Sequence, residues 1–431
     1  MVIFVFRVVG VAVNCRIKDR FRRLAGVSVD NPAVIVDNGG SSGHKSVDNA
    51  GGAARSHGIV RRMRPLLLPH VRRLWRNGNT LQLGTDPRLA TVFELENPAI
   101  VRVLDLLDGS RTERGVVAAA ARFGISSRDA QAMLDALRDG GLLVSDRALL
   151  PVGLTDHQRE RMAREAGSLA LAGLAERAAE APSGSGTPAD MLRRRAAARV
   201  LVAGHAWLGA LIAAALGAAG VGRIDPALDG WTRVDDAMLG GLLPTDAHRS
   251  RASAAADAVR RVAPEAVLTP LRQGTATFVV RVGSRPGSAL ATRGVRQRTA
   301  PRLDVYLRDG VVVVGPLVLP GGSPCGECLE LHRRDRDSAW PALAAQLATG
   351  RDSTEACAVT TALAGAAYAV EEVLRHTDGR PVRTVGATVE VAGPGSARRR
   401  SWPAHPRCDC GRRRRSSGSG RTARTPSNNG S

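Results

Sequence analysis

Two pairs of cysteines carry the strongest chemical signal in the chain. Cys325-Gly-Glu-Cys328 follows a Pro-Gly-Gly-Ser-Pro turn, and Cys408-Asp-Cys410 follows after 79 intervening residues. Four thiolates in two close pairs match the tetrahedral ligand set of a structural zinc ion, closed and non-catalytic. The plainer alternative is unligated surface cysteines. The second pair is tighter than the usual Cys-x-x-Cys, so His405 is an alternative to one thiolate. Cys357 opens an expected helix, where a thiol pKa can fall; a small buried helix residue is the preferred reading. Cysteines clustered in a chain with no convincing secretory signal favour metal over disulfides and a reducing cytoplasm.

The second stretch with chemical potential is ARVLVAGHAWLGALIAAALGAAGVGRIDPALDG, residues 198–230. It reads as strand, tight turn, helix and second strand, the opening unit of a Rossmann-type α/β fold. Val200–Ala203 is a short apolar run, as a buried parallel strand should be. A nucleotide-binding turn needs glycines where backbone approaches phosphate. GHAWLG keeps Gly204 and Gly209 but sets Ala206 and the large Trp207 between them. The fold is expected and its nucleotide site is expected to be eroded.

The elements that position these residues fall into five segments. Residues 1–62 include MVIFVFRVVGVAV, too short to span a bilayer, and a Gly/Ser/Asn-rich run. They are read as disordered, with a true start expected near Met63. Residues 63–150 are expected to form a winged helix. Thr80–Leu83 and Thr91–Glu96 alternate as a hairpin around GTDP. Asn97-Pro98 starts a helix, Ser110 and Glu113 form a capping box for a second, and Ser127 caps a third striped with Met133, Leu134 and Leu137. Residues 151–195 form a helical linker broken by PSGSGTP. Residues 196–411 make up the α/β domain: a helix from about Asp246 to Val262, strands near Val267 and over Ala276–Val282, a hairpin around Arg308-Asp309-Gly310, a helix over Cys357–Arg375 and a strand at Thr388–Val391. His332 to Asp337 is read as a solvated charged loop. Residues 412–431 are a basic disordered tail.

The formal net charge is +21, but residues 1–62 carry +6 and residues 398–431 carry +9. The excess thus sits on the ends, which disfavours nucleic acid as a partner. The third winged-helix segment, residues 127–139, has a net charge of −1, whereas a major-groove reader should be basic. The remaining use of such a fold is peptide capture by strand addition beside the hairpin and against a helix. Candidate peptide contacts are Phe93, Leu95, Met133 and Leu137. No membrane segment is expected. The only lysines are Lys18 and Lys45, so the folded part has none for Schiff-base or phosphate chemistry.

Two resemblances now meet. Residues 66–146, through LLDGSRTERGVVAAAARFG and MLDALRDGGLLVSD, resemble the PqqD-like element that binds leader peptides of ribosomal natural products. Residues 196–411 resemble the ThiF/ubiquitin-activating superfamily, through VLVAGHAWLG, AGVGRID, RSRASAAADAVRRVAP, VVVVGPLVLPGGSPCGECLELH and HPRCDCG. Together they are similar to the ThiF-like cyclodehydratase components of thiazole/oxazole-modified microcin (bacteriocin) clusters.

The resemblance implies an ATP site at Gly204, Gly209, Asp229 and Arg251. Five departures tell against ATP as a cofactor. The glycine turn is reduced, and the acidic residue after the second strand is at best Asp229. The expected lysine is Arg251, without lysine's compact geometry. No Asp or Glu lies between Gln273 and Leu303 to handle magnesium. The Asn-Leu-x-Arg-Gln segment reads GGLLPTDAHR. The resemblance therefore implies a protein that captures a precursor leader peptide and docks a YcaO-type cyclodehydratase, with structural zinc and no adenylation of its own. A homodimer is held open. The rival reading is an ATP-dependent adenylyltransferase acting on a peptide or carrier C-terminus. A basic DNA-binding regulator is a third, resting only on bulk charge and the winged helix.

Overall fold

The computed structural model describes residues 4–8, 64–179, 186–272, 274–283, 300–349, 356–408 and 410. The linker's centre, the basic tail from residue 411 and residues 9–63 lie outside the described residues. The chain divides into two units, Met1–Asp146 and Arg147–Ser431.

In the first unit, β1 (Phe4–Val8), β2 (Pro65–Leu67), β3 (Arg73–Asn77), β4 (Thr80–Leu83) and β5 (Thr91–Leu95) precede the helices. The expected hairpin is β4–β5, with Leu81 opposite Phe93. Strand β3 extends it into a meander; its RLWRN is exposed along its length, so no burial alternation marks it. Pro98–Leu106 is capped by the Asn97 side chain as expected, but winds as a 3-10 helix. Helix α1 (Glu113–Ala120) is capped by Thr112 rather than Ser110, whose hydroxyl and N–H both bond the Asp108 carboxylate. Helix α2 (Ser127–Asp139) is capped by Ser126, one residue earlier than expected. Strand β6 (Leu143–Ser145) pairs with β2. Phe4–Val8 was read as part of a disordered leader; here it pairs with β5 in parallel, which satisfies backbone groups of FVFRV in a sheet.

A short helix, α3 (Asp146–Leu149), leads into the second unit. Helix α4 (Asp156–Ala178) begins in a full capping box of Thr155 and Gln158. Helix α5 (Pro188–Ala197) has Thr187 and Asp190 in the same arrangement. Then come β7 (Arg199–Gly204), α6 (Leu208–Ala218), β8 (Arg223–Asp225), α7 (Arg251–Val262), β9 (Phe278–Val282), β10 (Arg302–Arg308) and β11 (Val311–Val318). Helices α8 (Gly326–Arg336), α9 (Trp340–Thr349) and α10 (Val359–Thr377) precede β12 (Ala387–Gly393) and β13 (Ser396–Ser401).

The seven-stranded sheet runs β13-β12-β11-β10-β9-β7-β8. Strands β8, β7, β9 and β10 are parallel, and the β11–β13 side is antiparallel. This is the expected mixed α/β, Rossmann-like architecture. Val200, Val202, Phe278, Val280, Leu303, Val305, Val312 and Val314 form its buried centre against Leu208, Ile212, Ala366 and Val373 of the flanking helices. With aromatics at only 3% of the chain, small aliphatics build this core. Helices α4, α5, α6 and α10 are joined by a buried knot: Arg195 forks onto Asp378 at 2.9 and 2.7 Å, and also reaches Glu165 at 2.5 Å and the Ala219 carbonyl.

Three expectations are corrected. His332 to Arg336 belongs to α8 rather than a loop, held by Arg333 to Glu330 at 2.7 Å and by the Arg333 guanidinium over Trp340. Val267 makes only an isolated bridge to Arg223. Arg398–Arg400, counted with the charge excess on the C-terminal end, lie in edge strand β13, where Arg400 pairs with Glu390 at 3.0 Å.

Candidate functional site

The two cysteine pairs converge. Cys325 is the N-cap of α8 and Cys328 lies in its first turn. Cys408 and Cys410 return from the segment after β13, which is pinned on the way by Trp402. That residue is buried and donates its indole N–H to Thr388 at 3.0 Å. The four sulfurs all lie within 4.8 Å of one another. Among them, sulfur–sulfur distances are 3.9 Å for Cys325–Cys328, 3.6 Å for Cys325–Cys408 and 3.3 Å for Cys328–Cys410. A tetrahedron of thiolates around zinc, with metal–sulfur bonds of about 2.3 Å, has edges of about 3.8 Å. The donors therefore fit a tetrahedral, sulfur-preferring divalent ion, and none of the four is in a disulfide.

The thiols do not ionise alike on their own. Burial opposes ionisation of Cys328, but backbone hydrogen bonds at His405 and Cys325 outweigh it and pull its thiol below the usual range. Burial pushes Cys408 up, and burial with the neighbouring Cys328 sulfur pushes Cys410 up to about 11. One thiolate is supported and its neighbours are suppressed; a bound divalent cation reverses that by supplying the missing positive charge.

His405 has both ring nitrogens engaged by other partners. Its Nε2 bonds Asp335 at 2.8 Å, and its Nδ1 accepts from the Arg407 backbone N–H at 3.2 Å. An accepting Nδ1 leaves Nε2 as the N–H donor. Asp335 is also paired with Arg407, and the hydrogen bond from His405 holds its carboxyl below the usual range. The imidazole of His332 meets His405 edge-on with centroids 4.7 Å apart. The sequence placed His405 close enough to be considered; what it could not give was the carboxylate of α8 that claims the ring.

The turn after β7 gathers the other candidates, Gly204, Gly209, Asp229 and Arg251. Gly204 has φ +128°, and a Cβ there would lie 2.0 Å from the Val282 carbonyl oxygen. A Cβ on Gly209 would lie 2.6 Å from Leu228 and 2.9 Å from Val282. Both glycines thus serve close packing of β7 and α6 on their neighbours. Trp207 is half-buried and packs against the core. Asp229 follows the bridge of Leu228 to Gly204; its N–H bonds the Gly204 carbonyl at 2.7 Å, and the residue is exposed.

Arg251, at the position of the expected lysine, opens α7 and is buried. Its Nη1 donates to the His205 and Asp229 carbonyls, the latter at 2.9 Å. Its Nη2 donates to the Trp231 carbonyl at 2.9 Å and to the Asp236 carboxylate at 3.3 Å. Its terminal nitrogens therefore hold the turn and the loop after β8 together. Asp304, just past the stretch that lacks acids, is buried on β10 and paired with Arg281 at 2.9 Å and Arg302 at 3.3 Å.

The expected peptide contacts lie in the core of the first unit. Phe93, Leu95, Met133 and Leu137 are each at most 3% exposed. Alternation on β5 and the helical stripe on α2 signal that core, and both readings rest on the same pattern. On α2, Arg138 is engaged by Asp135 and Glu113, which leaves this helix still less suited to a phosphate backbone. Cys357 precedes α10 and is half-buried against the core.

No protein-family profile and no curated protein sequence matches the chain. Its fold is similar to that of Escherichia coli MccB. The MccB structure with succinimide superposes with a TM-score of 0.54 at 14% identity, covering 81% of this chain and 99% of that one. MccB with ATP gives 0.54 at 14%, covering 80% and 99%. The microcin C7 biosynthetic enzyme MccB with N-formylated MccA gives 0.54 at 13%, again covering 80% and 99%. At such identity the likeness is one of fold: the chain has an MccB-like α/β fold. Among the described residues no helix is long and apolar enough to cross a membrane.

Proposed function

We propose that the chain is a ThiF-like binding and presentation protein of ribosomal-peptide biosynthesis that does not itself adenylate. The first unit captures the leader of a precursor peptide. The second docks a YcaO-type cyclodehydratase, which uses ATP to convert Cys, Ser or Thr of the core peptide to azolines. Capture raises the effective concentration of the core peptide at the partner's site. The observation that carries the reading is Arg251, whose four bonds to protein acceptors occupy the group that would otherwise meet phosphate. The solved MccB complexes with the MccA peptide support a peptide partner for this fold. Zinc at Cys325, Cys328, Cys408 and Cys410 braces the C-terminal segment against α8 and takes no part in chemistry.

Calorimetric titration with the precursor encoded beside this gene should give binding, and ATP–pyrophosphate exchange should give none. Absence of binding would remove the reading. The adenylyltransferase reading retains one specific support: Asp229 is exposed at the carboxyl end of the parallel strands, where such folds bind ligands. Exchange activity that is lost in Asp229→Ala would favour it.

A further inference from the structure

The first unit's sheet contains one strand that does not come from its meander. Strands β3, β4 and β5 are joined by short turns, whereas β1 joins from the amino end of the chain. It pairs in parallel with β5: Phe4 with Thr91, Phe6 with Phe93 and Val8 with Leu95. It also packs against α2. Its backbone therefore lies along β5 and beside α2. Without it, β5 would present a row of unpaired N–H and C=O groups, next to a helix that buries Ala130, Met133, Leu134 and Leu137. An open strand edge beside an apolar helix is the geometry that takes an extended peptide by strand addition.

We infer that Phe4–Val8 is a resident, displaceable strand that occupies the peptide-addition edge of this unit, and that the edge accepts an extended segment with the apolar pattern of FVFRV. Strand β1 is the outermost strand of the sheet, while β5 is paired on both sides. Parallel pairing is slightly weaker per residue than the antiparallel pairing that β4 gives β5. Removing β1 thus frees one side of β5 and leaves the meander's own ladders in place. The regulatory consequence rests on the peptide-capture reading above. Covalent attachment makes the resident strand an intramolecular competitor. If it occupies the edge about 90–99% of the time, an incoming peptide binds about 10- to 100-fold more weakly than to the open edge.

The test is hydrogen–deuterium exchange on the full chain and on its Val5→Pro/Phe6→Pro variant. Neighbouring N–H groups of a strand point to opposite sides, so one of the two prolines removes a donor to β5. The Leu95 N–H bonds the Asn79 carbonyl on the β4 side, so by alternation the Val92 and Glu94 amides face β1. In the variant these two amides should exchange at least about tenfold faster, while Thr91, Phe93, Leu95, β4 and the second unit keep their protection. A synthetic peptide of residues 1–13 should restore protection at Val92 and Glu94 in the variant. It should bind the full chain at least about tenfold more weakly. Equal exchange at Val92 and Glu94 in both proteins would overturn the proposal, because the strand would then not be resident. Loss of protection throughout β4, or failure of the peptide to restore protection, would overturn displaceability. None of these outcomes involves the precursor peptide, so a failed precursor titration and a failed strand test remain distinct.

Discussion

Replacing Arg251 by alanine distinguishes a brace from a phosphate ligand. The side chain is buried and its ion-pair partner Asp236 is still more enclosed, at 11% and 6% exposure respectively. Removing one member of a buried, hydrogen-bonded pair costs about 3–5 kcal/mol. The loss also leaves the carbonyls of His205, Asp229 and Trp231 without this donor. For a unit of this size, such a loss lowers Tm by about 10 °C. Arg251→Lys keeps the charge but cannot span four acceptors on two sides of a fork, so it should recover only part of the loss. The assay is urea unfolding together with thermal melting, each with and without Mg·ATP. A ligand at 100 times its Kd would stabilise the protein by about 2.7 kcal/mol, a shift readily seen in Tm. The expected result is a large destabilisation in Arg251→Ala and no Mg·ATP shift in the parent. The reasoning is refuted if Arg251→Ala is as stable as the parent, or if Mg·ATP raises the parent's Tm and that rise disappears in the variant.

Three further outcomes follow from the packing. Metal analysis should find about one zinc ion per chain, lost in Cys328→Ser and Cys408→Ser but kept in His405→Ala; zinc loss in His405→Ala would return the imidazole to the ligand set. Asp378→Ala should cost about 3 kcal/mol or more, because it strips the bidentate partner from buried Arg195; urea unfolding would register a lower midpoint at unchanged m, and an unchanged midpoint would show the knot to be dispensable. His376 packs on Phe278 at 5.3 Å and its burial holds the imidazole pKa below the ordinary value. The folded state therefore favours the neutral ring, so its contribution is present above an unfolded pKa of about 6.5 and is lost as pH falls below it. Unfolding free energies at pH 7 and pH 5 should differ less in His376→Gln than in the parent; an equal difference would place the pH dependence elsewhere.

What the sequence made legible follows the range of the interactions involved. Strand β7, helix α6 and the β10–β11 hairpin could be read because their signals are local: apolar runs, and Asp309-Gly310 as a turn. The cysteine cluster could be read across the chain because metal chemistry restricts which residues can serve, and close pairs announce themselves. His405, weighed as an alternative to one thiolate, shows the opposite case. Its role depends on Asp335, 70 residues away, and on the N–H of Arg407, and no spacing encodes that. Phe93 and Met133 show a second limit. Alternation and helical periodicity say that a side chain faces something apolar, and they do not say whether that is the unit's own core or a visiting peptide.

The turn GHAWLG sharpens this difference between pattern and contact. Its missing glycine and the arginine at residue 251 were visible as departures, but a departure alone is compatible with a weakened site. The structure supplies a positive account of each one. Gly204 and Gly209 remain because Val282 and Leu228 come too close for a side chain. Arg251 is longer than lysine and forked, which suits it to bridge a turn to the loop after β8 and to end on Asp236. Trp207 fills space against the core in the same corner. Each residue that departs from a phosphate-binding pattern thus has an internal partner. A corner assembled in this way has a reason to keep its sequence without a nucleotide, and so the stability of Arg251→Ala is a more decisive measurement than its activity.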